Sequence, residues 1–582
     1  MQTWHSFSCS FGWLFYHRLG FLALLMLAAC QNTPPPSPAT PLPAPLPTTA
    51  TATPIPTGTA PPTATTTPTP VADPTDPSPT PPPGTWSLNI AAGVPAAVAG
   101  PLAALVAEYP DDNVPAGENI TVTLRFGGAQ PVATWVYALV APFATIPDAF
   151  SPADLQTAWN NGTLVMTAET AAALSAVWGA PNTPLEIVSA DQLVTRLWSQ
   201  WTDPAAVPPL AIVPFPQLDP RLKVLRLDGQ SPVDVAFRPG DYPLAFSIGL
   251  DGPTEAATAL LDAWAGPATN RDETLITRVA MTGPAGMRRA VADRMERYGI
   301  NYPGEETGPV LQAADLAHMS NENAFAADCP PPDPFDSENV CNRDEYLALM
   351  TWMGIDVNEM TGNHLNDWGP QALLHTFDLY DTAGIGTFGG GRNLADAAEP
   401  WLVTHNGNQI AFVGCNPVGP ESGWAREDYP GALPCGDYSE LIADIRRLRD
   451  EGYFVIATLQ YLEDYQYAVL AEQKELFDAL AAAGADVVSG SHAHHPQGFA
   501  FPAGNFVHYG LGNLLADQMW SLGSRQMFID THLIYAGRLL NVDLWTGINE
   551  DYARVRRMTD AERAELLQAV FTQSYWPISG GE

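Results

Sequence analysis

Apolar and polar residues follow two different patterns between residues 85 and 577. Short runs in which every second residue is apolar, as in 120–124 and 223–227, predict β-strands. Longer stretches without that alternation, as in 171–177 and 190–201, predict helices. Strands and helices interleave along the whole segment, so the pattern predicts an α/β fold.

The second part of this segment, 273–577, has the clearest succession of elements. The predicted elements are strands 275–281, 356–360, 453–458 and 485–489 and helices 287–297, 343–353 and 468–483. In α/β folds the polar segments that follow strand ends carry the chemistry. Candidate functional residues are therefore expected at these strand ends.

The first thirty residues have the three-part pattern of a secretory signal. A weakly basic start precedes a short apolar run at 21–26, and small residues then lead into Cys30. The apolar run is far shorter than the roughly 18 residues that a membrane-spanning helix needs. The small residues before Cys30 resemble the lipobox of bacterial lipoproteins, which implies lipidation of Cys30. An ordinary export signal with an incidental Cys30 is the alternative.

Residues 31–84 consist almost entirely of Pro, Thr, Ala and Ser. Such a segment has too few apolar side chains to form a core and adopts extended, polyproline-like conformations. We interpret it as a disordered stalk. It would hold an α/β domain at 85–268 and a second domain at 273–577 away from the outer face of the cytoplasmic membrane.

Charge and cysteine usage narrow the class of protein further. The formal net charge of −37 is spread without a basic patch, which makes nucleic acid a poor partner. Cys9 and Cys30 lie in the signal region, and an even set of four cysteines remains, which in an oxidising compartment predicts two disulfides. The simplest of the three possible connectivities pairs cysteines that are close in sequence. A four-cysteine metal site is not expected, because the sequence has no C-x-x-C spacing. The local pairs are Cys329 with Cys341 and Cys415 with Cys435.

Three segments combine metal-ligand side chains with predicted strand ends. They are 315–322, 361–369 and 489–496, and each is expected to be a loop. Gly-Asn-His in the second offers an amide oxygen beside an imidazole, and His-x-His in the third projects two imidazoles to one side. Zn, Fe and Mn sites use such donors, and a metal pair can activate water for attack on a phosphoester.

Short sequence motifs in these segments resemble, in the same order, motifs of the CapA family. That family is associated with poly-γ-glutamate capsules and is built like calcineurin-like metallophosphoesterases. Ser320-Asn321-Glu322 is similar to the N-x-E motif of the family, and Gly362-Asn363-His364 with Asp367 and Gly369 is similar to its NNHxxDxG motif. Three further segments are similar to later family motifs: Gly384-Ile385 with Gly389-Gly390-Gly391, Gly484-Ala485-Asp486-Val487-Val488 with His492 and His494, and Tyr509-Gly510-Leu511-Gly512-Asn513.

The resemblance implies a site of one or two divalent Mn, Fe or Zn ions. Its implied ligands are Glu322, Asn363, His492 and His494. Asn321 and Asp367 would lie beside them. His364, with Asp367, would be catalytic, either as a ligand or as the proton donor to the leaving oxygen.

Two departures from the family pattern affect this site. The family has an aspartate after its first strand, where this chain reads Gly283-Pro284, and a histidine where this chain has Gln460. A single-metal site, or one completed by the substitute ligands Gln460, Glu463 or Asp464, is therefore expected. A protein that binds without turnover is the other reading.

The first domain has a fainter resemblance, to type II periplasmic substrate-binding proteins of the phosphate-binding kind. It rests on the apolar run 136–143, the helix start at Ser151 and the Tyr242-Pro243-Leu244 word. The resemblance implies a small-ligand domain. A generic α/β domain without a ligand is the alternative.

Together these features predict an N-terminal α/β, substrate-binding-protein-like domain followed by a four-layer α-β-β-α metallophosphoesterase-like domain. The expected function is synthesis, export or anchoring of an anionic capsule polymer such as poly-γ-glutamate, by metal-dependent hydrolysis or transfer. A binding lipoprotein without turnover and a surface scaffold are the alternatives. The expected partners are the polymer or a small ligand, the membrane through the lipid, and other capsule-synthesis proteins.

Overall fold

Three large β-sheets organise the part of the chain that the computed structural model describes, which is 85–107, 119–335 and 340–577. The predicted signal with Cys9 and Cys30 and the predicted stalk lie outside these residues. The described residues all fall within one compact unit. None of their helices is both long and apolar enough to cross a bilayer.

The N-terminal sheet has the strand order β1-β2-β10-β3-β7-β5-β6, with β8 paired to β3, while β4 pairs with β9. The strands are β1 (Thr85–Ile90), β2 (Asn119–Phe126), β3 (Gln130–Pro142), β4 (Ala149–Phe150), β5 (Leu164–Met166), β6 (Glu186–Ile187), β7 (Leu210–Pro214), β8 (Leu222–Val224), β9 (Arg226–Leu227) and β10 (Ala245–Asp251). The helices are α1 (Ala96–Ala107), α2 (Pro152–Asn160), α3 (Ala168–Trp178), α4 (Ala190–Gln200) and α5 (Thr254–Asp262). The helix start expected at Ser151 is present, because the Ser151 side chain caps α2 by accepting from Asp154 N at 3.0 Å.

The C-terminal part contains sixteen further strands among the described residues. They are β11 (Ile276–Thr282), β12 (Pro284–Ala285), β13 (Leu316–Asn321), β14 (Val357–Glu359), β15 (Gly386–Phe388), β16 (Gly390–Gly391), β17 (Trp401–His405), β18 (Asn408–Cys415), β19 (Gly431–Ala432), β20 (Phe454–Leu459), β21 (Val487–Gly490), β22 (Phe499–Ala500), β23 (Phe506–His508), β24 (Gln526–Tyr535), β25 (Arg538–Asn549) and β26 (Val555–Arg557). The helices are α6 (Arg289–Tyr298), α7 (Gly308–Gln312), α8 (Leu347–Met353), α9 (Pro370–Ala383), α10 (Leu394–Ala397), α11 (Ser439–Asp450), α12 (Ala471–Ala483) and α13 (Asp560–Thr572).

Fourteen of these strands form two sheets packed face to face, with β12 paired to β13 of the first, while β16 and β19 form a separate two-stranded sheet. One has the order β15-β14-β13-β11-β24-β25-β26, and the other has the order β17-β18-β20-β21-β23-β22. One hydrophobic cluster fills the space between them, and separate clusters join the first sheet to α6, α8 and α9 and the second to α11 and α12. The layers are therefore helix, sheet, sheet and helix, as the sequence predicts.

One predicted loop is in fact a strand. Leu316–Asn321 forms β13, which pairs in parallel with β11 and β14, so His318 lies inside the sheet and only Glu322 follows its end. The prediction was wrong because His, Ser and Asn made this segment look polar. In the structure Leu316 packs between the sheets, and Ala317 and Met319 pack against the helix layer, so both faces of the strand are buried.

The space between the sheets also holds polar groups. His318, Glu359, His508, Asp530 and His532 are each at most 1% exposed. His508 Nδ1 lies 2.6 Å from Asp530 Oδ2 and joins β23 of one sheet to β24 of the other. Such bonds add directional constraints to an otherwise apolar layer.

The N-terminal sheet shares core with the C-terminal part. Phe143, which follows β3, packs edge-on against Phe499, Phe501 and Phe506 at 5.3 to 5.8 Å between ring centroids. Nearby, Asp148 accepts two hydrogen bonds from Arg563 of α13, at 2.8 and 3.0 Å. Apolar contact and charge pairing thus both hold the two parts together.

Two disulfides are present, Cys329–Cys341 and Cys415–Cys435. They follow the local pairing that the sequence predicts. Each closes a short segment of the C-terminal part, and Cys415 ends a central strand of the second sheet. Both fit a protein that folds in an oxidising compartment.

We predict that His532 makes stability pH-dependent. Its Nδ1 donates to Val279 O at 3.4 Å, and its Nε2 has no hydrogen-bond partner in the described part of the chain. Burial lowers the pKa of His532 to about 4 from an ordinary 6.5. As the pH falls from 6.5 towards 4 the unfolded chain takes up a proton that the folded one does not, so stability declines by up to about 3 kcal/mol.

Urea unfolding at pH 7.5 and pH 5.0 measures this effect. His532→Leu should lose much less stability between the two pH values than the natural chain. His375→Leu, on the half-exposed face of α9, should keep the natural difference. Equal pH dependence in the natural chain and His532→Leu would contradict the prediction.

Candidate functional site

A polar cleft lies where the parallel strands of both facing sheets end. The segments after β11, β13 and β14 enter it from one sheet, and those after β20 and β21 enter from the other. The cleft has a volume of about 560 Å³. It is lined by Arg288, Arg289, Glu322, Val340, His364, Asp367, Glu463, His492, His494, Gln518 and Trp520.

At the bottom of the cleft, which we call its floor, a hydrogen bond links the two sheets. Gln460, which is fully buried after β20, donates from Nε2 to Glu322 Oε1 at 2.6 Å and to Asn363 Oδ1 at 3.3 Å. The orientation of this amide follows from chemistry, because a carboxylate oxygen only accepts and a flipped amide would bring two oxygens together. Gln460 therefore faces the cleft with its donor side.

Each of the three cleft histidines has one ring nitrogen held by an oxygen. His492 Nδ1 donates to Tyr461 O at 2.8 Å, and His494 Nδ1 donates to Asn513 Oδ1 at 2.7 Å. His364 Nδ1 lies 2.5 Å from Asp367 Oδ2. Because Nδ1 carries the hydrogen in each case, Nε2 is the nitrogen left to accept a proton or contact a ligand.

Electrostatics keep Glu322 charged. Burial alone would raise the pKa of Glu322, but His492, His494 and His364 and the bond from Gln460 hold it below its usual value. Burial lowers the pKa of His494 despite the attraction of Glu322. The ring of Tyr465 also stacks on His494, with centroids 5.4 Å apart.

Pro284 occupies the position where the family pattern has an aspartate. It belongs to β12, and its carbonyl accepts from Leu514 N at 2.9 Å. The preceding Gly283 must lack a side chain, because a Cβ there would lie 2.0 Å from Gly512 O. This segment therefore contributes backbone packing and no carboxylate to the cleft.

The residues present do not fit a two-metal centre. Pro284 offers no side-chain ligand, and the Gln460 amide hydrogens occupy oxygens of Glu322 and Asn363 that a cation would need. Within 85–107, 119–335 and 340–577, no group of three or more His, Cys, Asp or Glu side chains is placed to hold a metal ion. Glu322, His492 and His494 do line one cleft. Asn363 is linked to them by the hydrogen bond that it accepts from Gln460.

The other candidates fall in different places. Glu463 lines the cleft and accepts from the Tyr465 hydroxyl. Asp464 instead accepts from Gln497 Nε2 at 3.0 Å. Asn321, expected beside the centre, points to the helix layer, where it donates to the Tyr380 hydroxyl at 2.9 Å. That expectation was wrong because neighbouring strand residues face opposite sides of a sheet.

Sequence reasoning missed five residues that line the cleft, which are Arg288, Arg289, Val340, Gln518 and Trp520. Arg288 and Arg289 follow β12 and open α6, and the adjacent pair of cations after a strand end was the available signal. Arg289 binds Asp517 through two hydrogen bonds. Gln518 and Trp520 come from a distant segment whose approach only the fold reveals.

The helix-sheet-sheet-helix layers, with a histidine-bearing cleft at the strand ends, define a metallophosphoesterase-type fold. Residues 278–518 match the family model described as bacterial capsule synthesis protein PGA_cap. This segment is therefore similar to the CapA family, as the sequence motifs indicate.

Two curated relatives cover a similar part of the chain. The capsule biosynthesis protein CapA of Bacillus anthracis is 24% identical over 273 residues, which cover 46% of this chain and 66% of that protein. The PGA biosynthesis protein CapA of Bacillus subtilis strain 168 is 24% identical over 277 residues, which cover 46% of this chain and 72% of that protein. The match therefore spans about two thirds of the relatives' own length.

Two solved structures are also similar. The NAD nucleotidase NadN of Haemophilus influenzae has a TM-score of 0.29 and 10% identity, over 53% of this chain and 65% of that one. An ABC-type phosphate transport receptor from Vibrio cholerae has a TM-score of 0.23 and 12% identity, over 30% of this chain and 93% of that one.

We predict that restoring the two altered positions creates metal affinity. The double variant Pro284→Asp, Gln460→His adds a carboxylate and an imidazole beside Glu322. After dialysis it should retain about one Zn²⁺ or Mn²⁺ per chain by elemental analysis, whereas the natural chain should retain only a trace.

Gln466→His is the matched control, because Gln466 is exposed on the same loop as Gln460. It should retain no more metal than the natural chain. A natural chain that keeps about one ion per molecule would contradict the poor fit described above.

Proposed function

We propose that this protein is an extracytoplasmic lipoprotein, anchored through Cys30, that binds an anionic capsule polymer such as poly-γ-glutamate during its synthesis, export or anchoring. The match of residues 278–518 to the family model and the names of the curated relatives support the link to a capsule polymer. The two disulfides support a location outside the cytoplasm. Other capsule-synthesis proteins are natural partners in such a role.

The observation that carries binding over turnover is the contact of Gln460 with Glu322 and Asn363. In that contact an uncharged amide satisfies the oxygens, so the floor of the cleft is complete without a cation. The cleft above it is open and polar and large enough for several polymer side chains. The site therefore has the properties of a recognition cleft.

We also propose that the two parts of the chain have separate roles. The N-terminal α/β part, 85–268, would recognise a small ligand, and the CapA-like part, 273–577, would hold the polymer. The shared core around Phe143 supports joint movement of the two parts on one stalk.

Hydrolysis is the second candidate, and the His364–Asp367 pair favours it. A carboxylate that holds Nδ1–H leaves Nε2 free to transfer a proton to or from a leaving oxygen. His364→Ala would abolish such turnover and leave polymer binding largely intact.

We predict that a negative charge in the cleft weakens polymer binding. Gln518→Glu preserves the shape of a residue that accepts from Asn513 Nδ2 at 3.0 Å and adds one charge. The affinity of the full-length chain for poly-γ-glutamate, measured by calorimetry, should fall about tenfold through like-charge repulsion. Affinity for an amidated, neutral polymer should not fall.

Gln409→Glu is the matched control, since Gln409 is exposed near the start of β18, at the opposite end of that sheet. It adds the same charge and should leave the affinity unchanged. Absence of poly-γ-glutamate binding by the natural chain would refute the proposed function. Steady release of shortened polymer would favour the hydrolytic candidate.

A further inference from the structure

Arg288 is an arginine without a partner in a protein rich in carboxylates. Its guanidinium makes no hydrogen bond or ion pair with any residue that the structure describes, whereas the adjacent Arg289 is paired with Asp517. The chain as a whole has 63 acidic residues against 26 Lys and Arg. An unpaired cation in such a background needs a physical reason.

The surroundings hold Arg288 in the cleft. It immediately precedes α6, and its side chain passes Gly286, where an added Cβ would lie 3.7 Å from Arg288 Nε and 2.7 Å from Asn323 Oδ1. Burial lowers the pKa of Arg288, although an arginine stays charged at any physiological pH. A partly buried, unpaired charge is costly, so this arrangement is stabilised when an anion arrives.

Carboxylates surround Arg288 without pairing with it. Glu322, Asp517 and Asp367 attract it electrostatically, yet none is hydrogen-bonded to it. A ligand with one negative charge would match Arg288, which is the one arginine among the described cleft-lining residues that has no partner. A phosphoryl group with two charges would meet three nearby carboxylates with only one unpaired cation to offset them, which is unfavourable.

The rim of the cleft suits a chain-like ligand. Trp520 is 65% exposed and lies beside Tyr465, with ring centroids 5.7 Å apart. Tyr465 in turn stacks on His494 inside the cleft. These rings form a ledge from the outside to the floor, on which the apolar and amide parts of a polymer backbone can pack.

We propose that Arg288 is the anion-recognition residue of the cleft and binds a single carboxylate of a polycarboxylate chain through its two-pronged guanidinium, while Trp520 and Tyr465 carry the adjoining backbone. This inference rests on the proposed polymer-binding function and adds the residue and the charge type that are recognised. The fork of an arginine matches the two oxygens of a carboxylate, which a lysine cannot reproduce.

Calorimetry on the full-length chain with a poly-γ-glutamate oligomer tests the assignment. Arg288→Gln should weaken binding about 10- to 100-fold, and Arg288→Lys should recover only part of the loss. Arg446→Gln, which removes the same charge from an exposed site on α11, should bind as the natural chain does.

Thermal unfolding separates recognition from a structural role. If Arg288 serves a ligand, Arg288→Gln should unfold at the same temperature as the natural chain or higher, because it removes an unpaired charge. A lower unfolding temperature together with unchanged affinity would overturn the assignment and make Arg288 structural.

The remaining outcomes are distinct. A natural chain that does not bind the oligomer refutes the proposed function itself, whereas equal binding by the natural chain and Arg288→Gln refutes only the role of Arg288. Inorganic polyphosphate is the second probe. If it binds more tightly than poly-γ-glutamate and loses affinity in Arg288→Gln, the ligand is a phosphate and the carboxylate assignment is wrong.

Discussion

The hydrogen bond between Gln460 and Glu322 joins the two facing sheets, and the geometry of the cleft depends on it. Gln460 follows β20 of one sheet and Glu322 follows β13 of the other. Ser491 extends the link, since its Oγ donates to Glu359 Oε1 at 2.7 Å and lies 3.2 Å from Gln460 Oε1. His492 follows Ser491 directly, so the same network positions the histidine segment.

This network is surrounded by buried polar groups that would be costly in isolation. Glu359 is fully buried and accepts from Ser491 and Thr361. His318 Nε2 lies 3.4 Å from Glu359 Oε2. The bonds to Glu359 Oε1 offset part of the cost of its burial and constrain how the sheets can slide, whereas His318 Nε2 and Glu359 Oε2 have no hydrogen-bond partner among the described residues. The polar floor of the cleft is therefore continuous with the buried polar groups between the two sheets.

The charges of the cleft follow a balance between burial and neighbours. Three imidazoles and an amide stabilise the Glu322 carboxylate, while Arg288 contributes a cation that no described residue pairs. In the family pattern a metal would provide positive charge at such a site. Here the Arg288 side chain also supplies positive charge to the cleft.

Local sequence determined a large part of this protein. Short, mostly apolar runs predicted the strands around β11, β14, β20 and β21, because strands buried on both faces are apolar along their length. Cysteine spacing predicted both disulfides. The order of the short sequence motifs predicted the four layers and indicated the similarity to the CapA family, and it brought Glu322, His364, His492 and His494 into one site hypothesis.

Tertiary structure decided the rest. His318 and Asn321 looked like loop residues because their polarity is local, whereas their burial depends on strands that pair from far along the chain. The structural role of Gln460 depends on its hydrogen bond to Glu322, which is 138 positions away in the sequence. Arg288 became a candidate only when its lack of a partner was visible. Contacts between distant segments fix these features, and no local pattern encodes them.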